Sequence, residues 1–302
     1  MIKLSSRFPA WLKKKLPGHG DIQSTRDLIG ELGLNTVCSS AMCPNMGECY
    51  AQKTATFMIL GNRCTRRCTF CAVEKAQPAP PDPAEPLRVA EAVAALGLRH
   101  AVVTSVTRDD LADGGASQFV GAIRAIRERQ PGTTVEVLTP DFRGRLRSVD
   151  EVAAEAPEVY NHNIETVARL YRRVRPGAGY RRSLALLERV KKRQPGVLTK
   201  SGLMVGLGEE LAEVKQALAD LRSAGCDIIT VGQYLQPSPR HLEVKEFVTP
   251  ETFDVIRETA LAMGFSHAVC GPFVRSSYRA GECLTPGGRN YGSGDTSFSI
   301  LL

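Results

Sequence analysis

The stretch ATFMILGNRCTRRCTFC, residues 55–71, joins two signals. Its first six residues form an apolar run of the length a buried parallel strand needs. The rest carries Cys64, Cys68 and Cys71 in C-x₃-C-x₂-C spacing. A strand that delivers three thiols onto the loop behind it predicts a metal centre at the end of a sheet. Thiolates are soft ligands that select zinc or iron–sulfur clusters. A structural zinc wants four closed ligands. No fourth Cys or His follows at finger-like spacing, and the nearest later histidine is His100. Zinc would need a distant partner, whereas a cubane on three cysteines leaves one iron open.

Strand-like runs recur behind this stretch: HAVVTSV (100–106), TTVEVLTP (133–140), EVYNHNI (158–164), LTKSGLMVGLG (198–208), DIITVGQYL (227–235) and SHAVCGP (266–272). Helical spacing fills the gaps at 84–98, 115–132, 148–157, 180–196, 210–226 and 249–265, with Ser148 expected as an N-cap and a Thr-Pro start at Thr249. Strand and helix in alternation predict parallel strands with right-handed crossovers. Six or seven such units suit a full or partial (β/α) barrel, and a doubly wound open sheet is the alternative. In a barrel the chemistry belongs at the C-terminal strand ends. Residues 1 to about 50 and the tail from 275 onward show no such rhythm and are expected to be irregular.

The chain has 302 residues, nine cysteines, a net charge of +7 and 6% aromatic residues. No run of 18 apolar residues occurs, which predicts no membrane span, and no secretory signal is read at the N-terminus. Thiols at this spacing in a chain without secretion signals point to metal binding rather than disulfides. The positive charge fits either a solvated basic surface or an acidic partner. Aromatics do not interleave with the basic residues, which argues against a single-stranded nucleic-acid platform.

A second trio, Cys38, Cys43 and Cys49 in CSSAMCPNMGEC (38–49), has C-x₄-C-x₅-C spacing. It suits neither a zinc finger nor the bacterial ferredoxin run. It too is one ligand short of four. Cys226 and Cys270 read as buried small hydrophobes. Cys283, six residues after Ser277, stands where it could serve as a distant ligand.

The C-x₃-C-x-aromatic-C motif, with Phe70 before the last cysteine, resembles the signature of the radical S-adenosylmethionine (SAM) enzymes. With the first trio ahead of it, the chain resembles the lipoyl synthase family. The likeness extends through VTRDDLADGGASQF (106–119), TPDFRG (139–144), YNHNIETV (160–167), LTKSGLMVGLGE (198–209), TVGQYLQPS (230–238) and GPFVRSSY (271–278). The fold it implies is a partial barrel of about six parallel strands. A cysteine-bearing extension (1–52) would precede the barrel (53–272), and an irregular tail (273–302) would supply a ligand.

The resemblance implies two 4Fe–4S clusters. Cys64, Cys68 and Cys71 would hold one, whose open iron takes the amino and carboxylate groups of SAM. Cys38, Cys43 and Cys49 would hold an auxiliary cluster with a serine of RSSY, Ser277 in preference to Ser276. That cluster would be the sulfur donor. Gly114 and Gly115 would lie near the methionine end of SAM, Asn163 and Glu165 at its ribose, Arg175 at its carboxylate, and the glycines of 202–208 near its adenine. Arg172 and Arg173 cannot be told from a solvated basic face, nor His162 from a packed polar residue. The implied reaction is sulfur insertion at C6 and C8 of an octanoyl chain on a carrier lysine. The implied partners are octanoylated E2 lipoyl domains and the glycine cleavage H protein, a ferredoxin or flavodoxin, and an iron–sulfur carrier. The expected location is cytoplasmic, without nucleic acid or membrane.

Overall fold

The computed structural model describes residues 8–13 and 20–284. The end of the tail, from 285, lies outside the described residues, so the expectation of an irregular course there stays untested. Nine strands are present: β1 (Thr56–Ile59), β2 (Arg63–Cys64), β3 (Glu74–Lys75), β4 (His100–Ser105), β5 (Thr134–Leu138), β6 (Val159–Asn161), β7 (Leu198–Val205), β8 (Ile228–Gln233) and β9 (His267–Gly271). Seven form one sheet in the order β1-β4-β5-β6-β7-β8-β9, every pairing parallel. Each of the seven apolar runs becomes a strand, so the sheet has seven strands where about six were expected. Among the described residues β9 does not pair with β1, and the barrel is open there. β2 and β3 form a separate two-residue ladder around the cysteine loop.

The crossovers run through α4 (Glu85–Ala95), α5 (Ala116–Arg129), α6 (Leu146–Ala154), α8 (Tyr180–Arg193), α9 (Leu211–Ser223) and α10 (Pro250–Ala262). Their starts follow from local chemistry. Thr249 caps α10 by accepting from the Thr252 N–H at 3.4 Å, with Pro250 in the first turn. Glu210 and Glu213 close α9 with a reciprocal capping box. Ser148, expected as an N-cap, instead lies buried inside α6, which starts two residues earlier after Arg145. All six residues of β8 are buried, and so are all four of β1, because helices cover one face and the barrel interior the other.

From Gly20 onward the N-terminal segment is not irregular. It folds as α1 (Gly20–Glu31), α2 (Val37–Ser40) and α3 (Met46–Ala51). Thr36 caps α2 from the Ser39 N–H, and its own hydroxyl shares a 2.7 Å bond with the buried Tyr50 hydroxyl. The turn Thr36 makes is bridged to Phe57 on β1, which docks the segment on the open edge of the sheet. A short α7 (Tyr171–Val174) follows β6. Among the described residues no helix is long and apolar enough to cross a membrane.

A charged cluster fills the lower interior. Glu136 and Lys200 are fully buried and meet at 3.0 Å, and the Asn161 amide donates to Glu136 at 2.8 Å. The tail enters the same region after Tyr278. Gly281 packs against His100, at the N-terminal end of β4, and Cys283 is buried with Ile228, Val269 and Val274.

Candidate functional site

The C-terminal strand ends open into a cavity of about 450 Å³. Cys64, Cys68 and Cys71 line it from one side and Cys43 from the other. Between them stand Asn163, Glu165, Arg175, Arg275, Ser276 and Ser277. The second trio and Cys43 of the first therefore share one space, while Cys38 and Cys49 lie behind its wall.

The loop of the second trio is fixed by polar bolts. The Arg66 guanidinium donates to Asp109 at 2.8 and 3.0 Å and also to the buried Asp141. Burial alone would raise the Asp141 carboxyl, yet the hydrogen bond and charge of Arg66 outweigh it and hold the group at about 2. The Thr65 hydroxyl donates to the Thr107 carbonyl at 2.9 Å, and the Thr69 hydroxyl to that of Arg173 at 2.9 Å. The Cys64 Sγ accepts from the backbone N–H groups of Thr107 at 3.4 Å and Arg66 at 3.5 Å.

Burial pushes the thiols of Cys38 up to about 11 and of Cys49 and Cys71 up to about 12, and raises that of Cys68. These are not low-pKa nucleophiles. They shed their protons on binding a metal, as ligand thiols do. Among the described residues no three His, Cys, Asp or Glu side chains close round a single metal ion. A cubane carries its thiolates on separate corners and so holds them further apart than one ion would. An all-sulfur trio with room between it and the opposite wall fits such a group.

The first trio is brought to the cavity by bolts that sequence spacing does not reveal. The Asn45 amide donates to the Phe273 carbonyl at 2.7 Å. The Tyr278 hydroxyl donates to Glu48 at 2.6 Å, and Arg279 donates to the same oxygen at 3.1 Å. These contacts tie residues 45–48 to residues 273–279, although some 230 positions separate them in the chain. Two glycines make room for the incoming segment. A Cβ on Gly202 would meet the Ser276 hydroxyl at 2.6 Å, and one on Gly232 would collide with the Val274 carbonyl. The result sets RSSY across the barrel mouth beside Cys43.

Within that segment the Ser276 hydroxyl donates to Asn163 Oδ1 at 2.8 Å. Ser277 lines the same cavity and takes no part in that bond. Cys283 does not line the cavity. The chain has turned down into the barrel by then, and burial near Glu136 and Lys200 leaves its thiol raised in an apolar pocket. Cys283 thus packs with Ile228, Val269 and Val274, whereas Ser277 lines the cavity beside Cys43. Cys226 and Cys270 are buried, as expected.

Polar groups opposite the second trio fit a zwitterionic ligand. Arg175 is buried, donates to the Asn163 carbonyl at 2.7 Å and to the Tyr171 hydroxyl at 2.9 Å, and leaves its buried Nε without a partner among the described residues. The Ser105 hydroxyl, also on the cavity wall, is buried and unpartnered in the same sense. Such orphaned groups call for a polar occupant. Arg172 and Arg173 are exposed, which separates them from Arg175. Burial raises the Glu165 carboxyl and Arg175 acts against it, while Asn163 donates to Glu165 at 3.1 Å. Glu165 itself has φ of 65°, a left-handed conformation that turns the chain into the cavity.

Other expected contacts fall elsewhere. Gly114 and Gly115 have φ of 67° and 92° and form the turn into α5. Added Cβ atoms there would strike Phe142 and Leu60, so both glycines answer to packing and neither lines the cavity. His162 is buried between the Thr139 carbonyl and the Ser183 hydroxyl, each at 2.8 Å, and burial lowers it to about 4. It is a packed polar residue. Gly202, Leu203 and Met204 line the cavity, but Gly206 folds away onto Gln233 and the Glu209 carboxylate. Sequence reasoning missed Arg275, Asn45, Glu48 and Tyr278. The adjoining motifs pointed near them, but their partners lie far along the chain.

Comparison with known proteins agrees with this geometry. The Radical SAM superfamily profile matches residues 58–231. A lipoyl synthase of Chlorobaculum tepidum is 58% identical over 279 residues, 92% of this chain and 96% of the relative. One of Nitrosococcus oceani is 56% identical over 275 residues, 91% of this chain and 85% of the relative. The crystal structure of methylornithine synthase superposes with a TM-score of 0.51 at 13% identity, over 93% of this chain and 89% of that one, a likeness of fold alone. A cysteine trio and Cys43 of a second trio at one barrel mouth, with identity at this level, lead to one conclusion: the chain belongs to the lipoyl synthase family of the radical SAM superfamily.

Proposed function

We propose that this chain builds the lipoyl group on a carrier protein by inserting two sulfur atoms, at C6 and C8, into an octanoyl chain bound to a carrier lysine. The observation that carries the reading is the shared cavity. The second trio and Cys43 of the first both line it, and Arg275, Ser276 and Ser277 of RSSY line it with them, the segment being tied to the first trio's loop through Asn45, Glu48 and Tyr278. Cys64, Cys68 and Cys71 would hold a 4Fe–4S cluster, and Cys38, Cys43, Cys49 and Ser277 a second. When bound, these groups supply a low-potential electron for SAM cleavage, an open coordination position and sulfide for transfer.

The chain's own residues account for binding and orientation. Arg175 offers its unpartnered Nε to a carboxylate, and a bidentate guanidinium suits that geometry. Asn163 and Glu165 present an amide and a carboxylate to hydroxyl groups. The apolar wall of Val37, Ala41, Met58, Leu138 and Leu235 accepts an acyl chain and keeps water from it. A hydroxyl ligand from Ser277 is harder than a thiolate and binds a soft centre less firmly, which suits a site that must give up its contents. The extension (1–52) and the tail (273–302) would supply the ligands of one cluster, and the barrel (53–272) would be the scaffold and supply the cysteines of the other. Octanoylated E2 lipoyl domains and glycine cleavage H protein would be the substrates. An iron–sulfur carrier would refill the second site, and the setting would be the cytoplasm. The test is anaerobic incubation with SAM, dithionite and an octanoyl-lysine peptide. Mass spectrometry is expected to show two sulfur atoms gained per peptide. A protein holding both clusters that cleaves SAM yet leaves the peptide unchanged would overturn the reading.

A further inference from the structure

We propose that the outer side of the cysteine loop is the docking surface for the electron donor, a small acidic one-electron carrier protein. Arg67, next to Cys68, is exposed while its neighbours Cys64, Cys68 and Cys71 face the cavity. Only the loop itself separates the thiols from solvent on that side.

Backbone and side-chain bonds gather more arginines there. Thr69 donates to the carbonyls of Arg173 and Val174, and the Leu242 N–H donates to the Thr69 carbonyl at 3.2 Å. The His241 ring meets the Cys71 carbonyl at 3.1 Å. The rim thus collects Arg67, Arg172, Arg173 and Arg240, all exposed. None of the four has an ion-pair partner among the described residues. Some arginines on other faces are paired, as Arg124 with Glu155, Arg169 with Glu213 and Arg189 with Asp150, and Arg99, Arg129, Arg143 and Arg181 are exposed without an ion pair among the described residues; what marks the rim is that four such arginines gather round one loop. Glu243, the acid that feels Arg173, is held first by Lys245 at 2.7 Å. An unneutralised rim of one sign steers a partner of the other sign, and it does so where an electron has the least protein to cross. Each docking event passes one electron inward. The carrier is oxidised by one electron, and the site behind Cys68 is reduced by one.

This rests on the reading that the site takes up electrons, so the test must separate the two. The variant is Arg172→Glu/Arg173→Glu/Arg240→Glu in the full chain with both clusters. SAM cleavage is driven either by reduced flavodoxin or by dithionite, which needs no docking. The expected result is a fall of about tenfold or more with flavodoxin at low salt and an unchanged dithionite rate. Calorimetry should show flavodoxin binding lost in the variant and weakened by salt in the parent chain. Equal rates with flavodoxin in variant and parent overturn the proposal, and so does an equal loss with both reductants in a folded variant. Retained flavodoxin binding with lost binding of an octanoylated lipoyl domain assigns the rim to the substrate and also overturns it. No dithionite-driven cleavage in the parent chain would instead overturn the reading beneath.

Discussion

Glu48→Ala cuts the bolt that brings the first trio to the RSSY segment. Glu48 is 7% exposed and accepts from Tyr278 at 2.6 Å and Arg279 at 3.1 Å on one oxygen. A buried hydrogen bond to a charged group contributes roughly 1.5–3 kcal/mol, with a further penalty for the donor left behind. The Arg279 side chain is 30% exposed, so its pair is screened and adds only about 0.5 kcal/mol. The sum is roughly 2–4 kcal/mol, which at about 2 °C per kcal/mol predicts a drop of roughly 4–8 °C in apparent melting temperature. Tyr278→Phe removes the stronger of these bonds and keeps the Arg279 pair, so it should lose most of that amount, roughly 1.5–3 kcal/mol. The functional readout is selective. Iron and sulfide at the first trio should fall, while SAM cleavage at the second trio persists, because Arg66, Asp109 and Asp141 hold that loop independently. Anaerobic reconstitution with iron and sulfide analysis, Mössbauer spectra and a 5′-deoxyadenosine assay reads all three quantities. An unmoved melting temperature with a normal first cluster would refute the reasoning. A fall of both clusters together would refute the independence of the two loops.

Four further variants have expected outcomes. Arg66 holds the Asp141 carboxyl at about 2, below the usual carboxylate range near 4, so its stabilisation is present above about pH 4 and lost as pH falls towards 2. It is worth about 2 kcal/mol, so acid unfolding of Asp141→Asn should be correspondingly less steep in that window. Lys200→Met strands the buried Glu136 and should cost about 3–5 kcal/mol in a denaturation experiment, since among the described residues Asn161 and His100 alone remain beside it. Cys283→Ala should lower stability by about 1 kcal/mol through a small cavity and leave the iron content unchanged, whereas Ser277→Ala should change the spectrum of the first cluster without altering the fold.

Much of this was legible in the residues, and the limits have physical reasons. Apolar runs such as TFMI and IITVGQ are buried on both faces, so period and length alone identify them as parallel strands. The second trio could be assigned to a loop because β1 runs straight into it. The N-terminal helices were missed because α2 and α3 are only four and six residues long and rest on tertiary bonds such as Thr36 to Tyr50. Gly114 and Gly115 carried a glycine signal with two readings, close approach to a ligand or to a side chain, and spacing does not distinguish them. Arg175 and Arg172 looked alike in sequence, and burial separates them. Long-range contacts such as Tyr278 to Glu48 leave no periodic trace. Gly202 and Gly232 inside strands were the available hint that another segment approaches closely.

The central claim is that two cysteine sites share one cavity and divide the work. The most direct measurement pairs Cys68→Ala and Cys43→Ala, each reconstituted anaerobically and assayed with SAM, dithionite and an octanoyl-lysine peptide. The account predicts that Cys68→Ala loses SAM cleavage and keeps the first cluster, whereas Cys43→Ala keeps SAM cleavage and inserts no sulfur. Equal loss of both activities in both folded variants would contradict it.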